Sequence, residues 1–269
     1  MKISVFLDNL LEMTRQRGCS LDEALKEAKK CGIDYVDVHY GYGNFEELKK
    51  LLCKYEMKVG GMYVFIDLAH KKEEELQKSA VEKAFCLGAD SLLVIPGLDN
   101  LPGDDRKTVL ENIIEGLNSI CEIAETKKLN ICIEDFGAAV GLYGTPEEML
   151  YLIENVKGLK CCFDTGNFSF HKADAIKAFD ILKEHICHVH IKDWLYSPLM
   201  NEKPAITPHG LKLYPSPAGY GVVPLAEIMK GLCEMNYDGV ISIEQYDAGD
   251  ALSYLKKGSE WLIKNITTD

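Results

Sequence analysis

Asn130-Ile131-Cys132-Ile133-Glu134 is a short apolar run closed by a carboxylate, and the design returns downstream in Cys161-Cys162-Phe163-Asp164, Ile186-Cys187-His188-Val189-His190-Ile191 and Val240-Ile241-Ser242-Ile243-Glu244. Apolar runs of this length, rich in β-branched residues, read as strands with little solvent on either face. Working outward, Lys2-Leu7, Tyr35-His39, Val59-Phe65 and Ser91-Ile95 have the same character, so eight strands are expected. Amphipathic stretches lie between them. Helix starts are signalled by Ser20 with Glu23, Asn44 with Glu47, and Thr145 followed by Pro146 and Glu148. Gly32 and Gly88 mark stops, and one long helix is expected from about Asp104 to Leu129.

Strands alternating with helices imply a parallel sheet joined by crossovers. Eight such units in 269 residues, with no glycine fingerprint after the first strand, predict an α/β fold, a (β/α)8 TIM barrel, over a doubly wound sheet. Residues 1–269 are expected to form one barrel domain. The irregular stretch is 194–223, with Pro198, Pro204, Pro208, Pro215 and Pro217; it reads as a long loop after strand seven, over the active-site face.

A formal charge of −12, from 30 Lys and Arg against 42 Asp and Glu, argues against nucleic acid as a partner. The ten cysteines are scattered without a CxxC pair, which suits buried thiols in a reducing compartment. Adjacent Cys161 and Cys162 suit opposite faces of one strand. The run Ile3 to Leu7 is short for a secretory segment and no window is apolar enough for a membrane span, so a cytoplasmic protein without membrane contact is expected.

In a closed parallel barrel, all strand C-termini open on one face, so Glu134, Asp164, His190 and Glu244 should meet there. A carboxylate ending an apolar strand needs compensation. One divalent cation provides it for three carboxylates and an imidazole together. Oxygen-rich ligation suits Mn²⁺ first, with Zn²⁺, Mg²⁺ or Co²⁺ as alternatives. Taken singly, each acid also reads as a helix cap or salt-bridge partner. His188 shares the parity of His190 and should lie deeper, as support.

The segments Ile133-Glu134-Asp135-Phe136, Phe163-Asp164-Thr165-Gly166-Asn167, His188-Val189-His190-Ile191-Lys192-Asp193, Gly219-Tyr220-Gly221 and Gly239-Val240-Ile241-Ser242-Ile243-Glu244 resemble, in order, the xylose isomerase-like TIM barrel family of sugar phosphate isomerases and epimerases. The resemblance implies a divalent metal on Glu134, Asp164, His190 and Glu244, with Glu134 and Glu244 also acting as the catalytic acid/base pair. It implies a carbohydrate substrate and proton transfer through an enediolate. Ketohexose 3-epimerases of this type carry Glu, His and Arg where this chain has Val140, Asn167 and Tyr196, so a different sugar or polyol derivative, or a related dehydratase activity, becomes more plausible. A sugar-binding barrel without turnover is a second reading. A type-four apurinic endonuclease is a third, opposed by the charge and by only seven histidines.

Side chains beyond the strand ends are candidates to contact a sugar: Lys192, Asn167, His39, Trp194, Phe136 and Tyr246. For Lys192 a salt bridge to Asp193 or Glu134 is an equally ordinary expectation. Barrels with long loops often pair through them, which makes a homodimer one expected assembly.

Overall fold

The computed structural model describes residues 1–97, 103–136 and 142–266. Eight strands close into a parallel barrel: β1 (Lys2–Phe6), β2 (Tyr35–His39), β3 (Lys58–Phe65), β4 (Ser91–Ile95), β5 (Asn130–Ile133), β6 (Leu159–Asp164), β7 (Ile186–Ile191) and, last in the chain, β11 (Val240–Ile243), which returns to pair with β1. The fold is thus a (β/α)8 TIM barrel. Each strand lies within one or two residues of its expected span, because parallel strands covered on both faces are nearly uniformly apolar.

Between β1 and β2 the sequence signals one helix, starting at Ser20; the structure has two. The additional α1 (Leu7–Arg17) leaves β1 without a loop, buries Leu7, Leu10 and Met13 along one face, and ends at Gly18 in the left-handed region (φ 62°). Next, α2 (Leu21–Lys30) begins at the Ser20 capping box, and α3 (Phe45–Lys54) at Asn44, whose side chain accepts from Glu47 N. After α4 (Glu74–Leu87), the long helix α5 (Arg106–Glu125) is shorter at both ends than expected: Asp105 caps its start and Thr126 its end. A second capping box, Thr145 with Glu148, starts α6 (Pro146–Asn155). The remaining outer helices are α7 (Ala175–Leu182), α8 (Leu225–Glu234) and α9 (Ala251–Ile266). Among the described residues no helix is long and apolar enough to cross a membrane.

Alternation along the strands separates two cores. Outward residues such as Val36, Ile131, Cys161 and Ile241 pack under the helices, while Phe6, Tyr63, Leu93, Ile95, Cys132 and Cys162 fill the barrel. Cys161 and Cys162 therefore do face opposite ways, and all ten cysteines are free thiols. Below the apolar interior lies a buried polar layer. Asp37 on β2 accepts from Ser4 Oγ at 2.6 Å and Gly61 N at 3.0 Å and pairs with His188 Nε2 at 2.7 Å, while Ser91 Oγ lies 3.0 Å from His188 Nδ1. Gly60 and Gly61 leave room for this carboxylate: a Cβ on either would come within 3.0 Å of an Asp37 oxygen.

The proline-rich stretch 194–223 differs from the expected loop by carrying a small antiparallel sheet, in the order β8 (Asp193–Leu195), β10 (Lys212–Ser216), β9 (Ala205–Ile206). Its prolines hide the period, since β10 is short and holds Pro215 opposite Trp194.

Candidate active site

The strand ends β5, β6, β7 and β11 bring together Glu134, Asp164, His190 and Glu244. One potential ligand atom from each lies within 4.8 Å of the others, and all four residues are buried. His190 Nδ1 is 2.8 Å from Glu134 Oε2 and 3.2 Å from Glu244 Oε2. One oxygen of Asp164 accepts from the amides of Gly166 and Asn167, both at 2.8 Å, which fixes its other oxygen toward the cluster. Asp164 Oδ2 and Glu244 Oε2 accept no directed hydrogen bond from the described residues. Each instead faces a nitrogen, Lys192 Nζ at 2.9 Å and His190 Nδ1 at 3.2 Å respectively. Buried carboxylate oxygens in that condition, beside an imidazole nitrogen, fit a divalent cation.

Charge is concentrated here. Burial, opposed by Lys192 and reinforced by Glu244 and Glu134, pushes the Asp164 carboxyl up to about 7. Burial would also raise Glu244, but Lys192 and His190 draw it down to about 2. His190 is held well above the usual imidazole range, since Glu134 and Glu244 outweigh its desolvation. Behind Glu134, Asp135 is fully buried with neither side-chain oxygen hydrogen-bonded among the described residues, and burial together with Asp164 and Glu134 raises it far above an ordinary carboxyl.

Lys192 reaches in among the carboxylates of the cluster rather than staying at the rim. Its ammonium is 2.9 Å from Asp164 Oδ2, 2.8 Å from Glu244 Oε1 and 2.9 Å from Asn167 Oδ1. The ion pairs expected with Asp193 or Glu134 are replaced by these, because the Asp193 side chain turns the other way. Asn167 is also committed, donating to the Asp135 carbonyl. Trp194 donates from Nε1 to Gly166 O at 3.0 Å. With Lys192, Asn167, Glu244, Phe170 and Tyr246 it lines a cavity of about 210 Å³ between the cluster and the small sheet. A larger cavity of about 560 Å³ includes Asn130 and Ile131 at the start of β5, away from these strand ends.

His39 and Phe136 lie beyond the strand ends, packed against other aromatic rings. The His39 ring is 5.0 Å from Tyr63 and its Nδ1 accepts from Gly41 N, while Phe136 meets Phe65 edge-on at 6.2 Å. Phe6 packs edge-on against His190 at 4.8 Å and against Tyr246 at 6.1 Å. Val140 lies outside the described residues; Tyr196 is exposed.

Asp37 and Asp8 escape a reading of strand ends. The former sits beneath the cluster, its Oδ2 3.8 Å from His190 Nε2, and the latter accepts a hydrogen bond from Tyr63 Oη. An acid between two valines inside a barrel strand, Val36-Asp37-Val38, was the available signal for Asp37.

The Gly219-Tyr220-Gly221 motif wraps Asp193. Amides of Trp194, Gly219, Gly221 and Val223 all donate to its carboxylate, and a Cβ on Gly221 would come within 2.2 Å of Asp193 Oδ1 and 2.3 Å of Trp194 O. Loss of an acceptor serving several amides costs roughly 2 kcal/mol or more. Asp193→Ala should therefore speed limited proteolysis between residues 196 and 221 by over about tenfold, with little change in barrel melting. Unchanged cleavage would show that the sheet is held by other contacts.

A family model described as xylose isomerase-like TIM barrel matches residues 25–265. An uncharacterized protein of Methanocaldococcus jannaschii is 28% identical over 233 residues, covering 81% of this chain and 75% of that one. Among solved structures, a D-allulose 3-epimerase from Methylomonas sp. in complex with D-allulose superimposes with a TM-score of 0.77 at 15% identity, over 98% of this chain and 97% of that chain. A xylose isomerase-like TIM barrel protein from Mycobacterium smegmatis in complex with magnesium gives 0.70 at 16% identity, over 91% and 88%. With a match spanning most of its length, the chain belongs to the xylose isomerase-like TIM barrel family.

Proposed function

We propose that residues 1–269 act as one catalytic barrel, a divalent-metal-dependent isomerase or epimerase of a small carbohydrate, with Glu134 and Glu244 as the acid/base pair. The observation that carries this reading is the buried convergence of Glu134, Asp164, His190 and Glu244, with Asp164 Oδ2 and Glu244 Oε2 lacking directed hydrogen bonds among the described residues. The magnesium complex and the sugar complex named above support it by analogy of fold. Glu134, Asp164, His190 and Glu244 would hold the cation, for which Mn²⁺ is our choice. When bound, a divalent cation supplies Lewis-acid polarisation of carbonyl and hydroxyl oxygens on an α-hydroxy carbonyl substrate.

The remaining work belongs to side chains. One of the two glutamates removes the carbon-bound proton beside the carbonyl, and the electron pair passes into an enediolate. Protonation from the other carboxylate, on the opposite face of the same carbon, gives epimerisation; return of the proton to the neighbouring carbon, with the hydroxyl proton passing between the two substrate oxygens, gives isomerisation. Trp194 and Phe170 offer apolar faces to a ring. Asn167 is engaged by Lys192 and Asp135 and Tyr196 is exposed, so the substrate is a sugar or polyol derivative other than a ketohexose held as in the 3-epimerases.

The test is solvent exchange. Mn²⁺-loaded protein incubated in D₂O with ketoses, inososes and sugar phosphates should place deuterium on a carbon of one of them. Chelation should reduce that rate by about a hundredfold or more, in line with the loss of a Lewis acid worth several kcal/mol. A metal-binding protein that exchanges no carbon proton across the panel would leave a binding barrel instead.

A further inference from the structure

We infer that Lys192 is a built-in competitor of the divalent cation: its ammonium shares the Asp164 and Glu244 oxygens that a cation needs, and it must yield them when one binds. The inference rests on the metal-site reading above and goes beyond it by assigning a device that sets how tightly the site is filled.

Four observations carry it. Lys192 extends from the strand holding His190, two residues further along, so its side chain shares the inward parity of that ligand and reaches the cluster. Its Nζ lies 2.9 Å from Asp164 Oδ2 and 2.8 Å from Glu244 Oε1, bridging ligands from two strands. Asp164 has no oxygen in reserve, because Oδ1 already accepts from the Gly166 and Asn167 amides. A cation on Asp164 therefore takes Oδ2, the atom facing the ammonium. Finally, the contact to Oδ2 is a charge contact without a directed hydrogen bond, whereas Nζ donates a directed bond to Asn167 Oδ1 at 2.9 Å. Asn167 offers the ammonium an alternative anchor on the cavity side, and that cavity is lined by Lys192, Asn167 and Trp194.

The physical consequence has a definite sign. A fixed positive charge beside a cation site opposes loading through repulsion and through competition for shared oxygens. A lysine that merely braced the ligands would do the reverse, and its loss would weaken binding.

Mn²⁺ affinity, measured by titration calorimetry on the full chain, separates the alternatives. Lys192→Met should bind Mn²⁺ more tightly than the native protein by about tenfold or more, from loss of a like charge in a poorly screened site. Lys192→Arg, which keeps the charge, should show no such gain. If Lys192→Met misfolds, a structure of the native chain with Mn²⁺ decides the matter: Lys192 Nζ should have left Asp164 Oδ2, and an ammonium still at its present distance overturns the inference. Equal or weaker Mn²⁺ binding by a folded Lys192→Met also overturns it. Failure of the native protein and the variant alike to bind Mn²⁺ would overturn the metal reading itself.

Discussion

Glu244→Gln is expected to reduce exchange of the substrate's carbon-bound proton by about a thousandfold, since a positioned acid or base contributes roughly 10² to 10⁴ in rate. The substitution preserves shape and removes the charge. Glu244 has its two oxygens divided between Lys192 at 2.8 Å and His190 at 3.2 Å, so an amide loses both the basic site and half of the cluster's hold on these cations. Structure should survive, because Asp164 still faces Lys192 and Glu134 still faces His190. The measurement pairs deuterium incorporation with a thermal melt of the same sample. A variant that melts like the native protein and still exchanges would strip Glu244 of its assigned role.

Asp37→Ala should strongly destabilise the barrel interior. It leaves His188, Ser4 Oγ and the Gly61 amide facing a void at positions sealed from solvent. Breaking a buried pair by removing one partner costs about 3–5 kcal/mol. For a domain of this size that corresponds to a melting temperature lower by roughly 10 °C. Asp37→Ala combined with His188→Ala should cost clearly less than the two single changes added together, because the second removes the group left stranded by the first. Strict additivity would show that the two residues stabilise the barrel independently.

The barrel was legible because eight covered strands each spell a compact apolar run, and because Ser20, Asn44 and Thr145 announce helices in local chemistry. Glu134, Asp164, His190 and Glu244 stood out as polar residues closing such runs. Asp37 did not, since a single acid within Tyr35-Val36-Asp37-Val38-His39 looks like the wet face of an alternating strand until the barrel closes around it. Partner choice was equally hidden. The pairing of Lys192 with Asp164 and Glu244 depends on Asp193 being taken up by four amides some twenty-five to thirty residues onward or adjacent, a long-range fact. The small sheet escaped for a similar reason: β9 and β10 pair across a turn at Thr207–Leu211, with Pro204 and Pro208 flanking the two-residue β9 and Pro215 inside β10 in place of periodicity.

Asp193 gathers both ends of the excursion that it begins, and Glu202, accepting from Tyr254 Oη at 2.6 Å, pins its middle to α9, so the exposed stretches between Leu195 and Lys212 hang from fixed points like an interchangeable cassette. Evolution or a protein engineer can lengthen, trim or graft that cassette and thereby remodel the roof above the cavity, while the floor that holds the charged cluster keeps its dimensions.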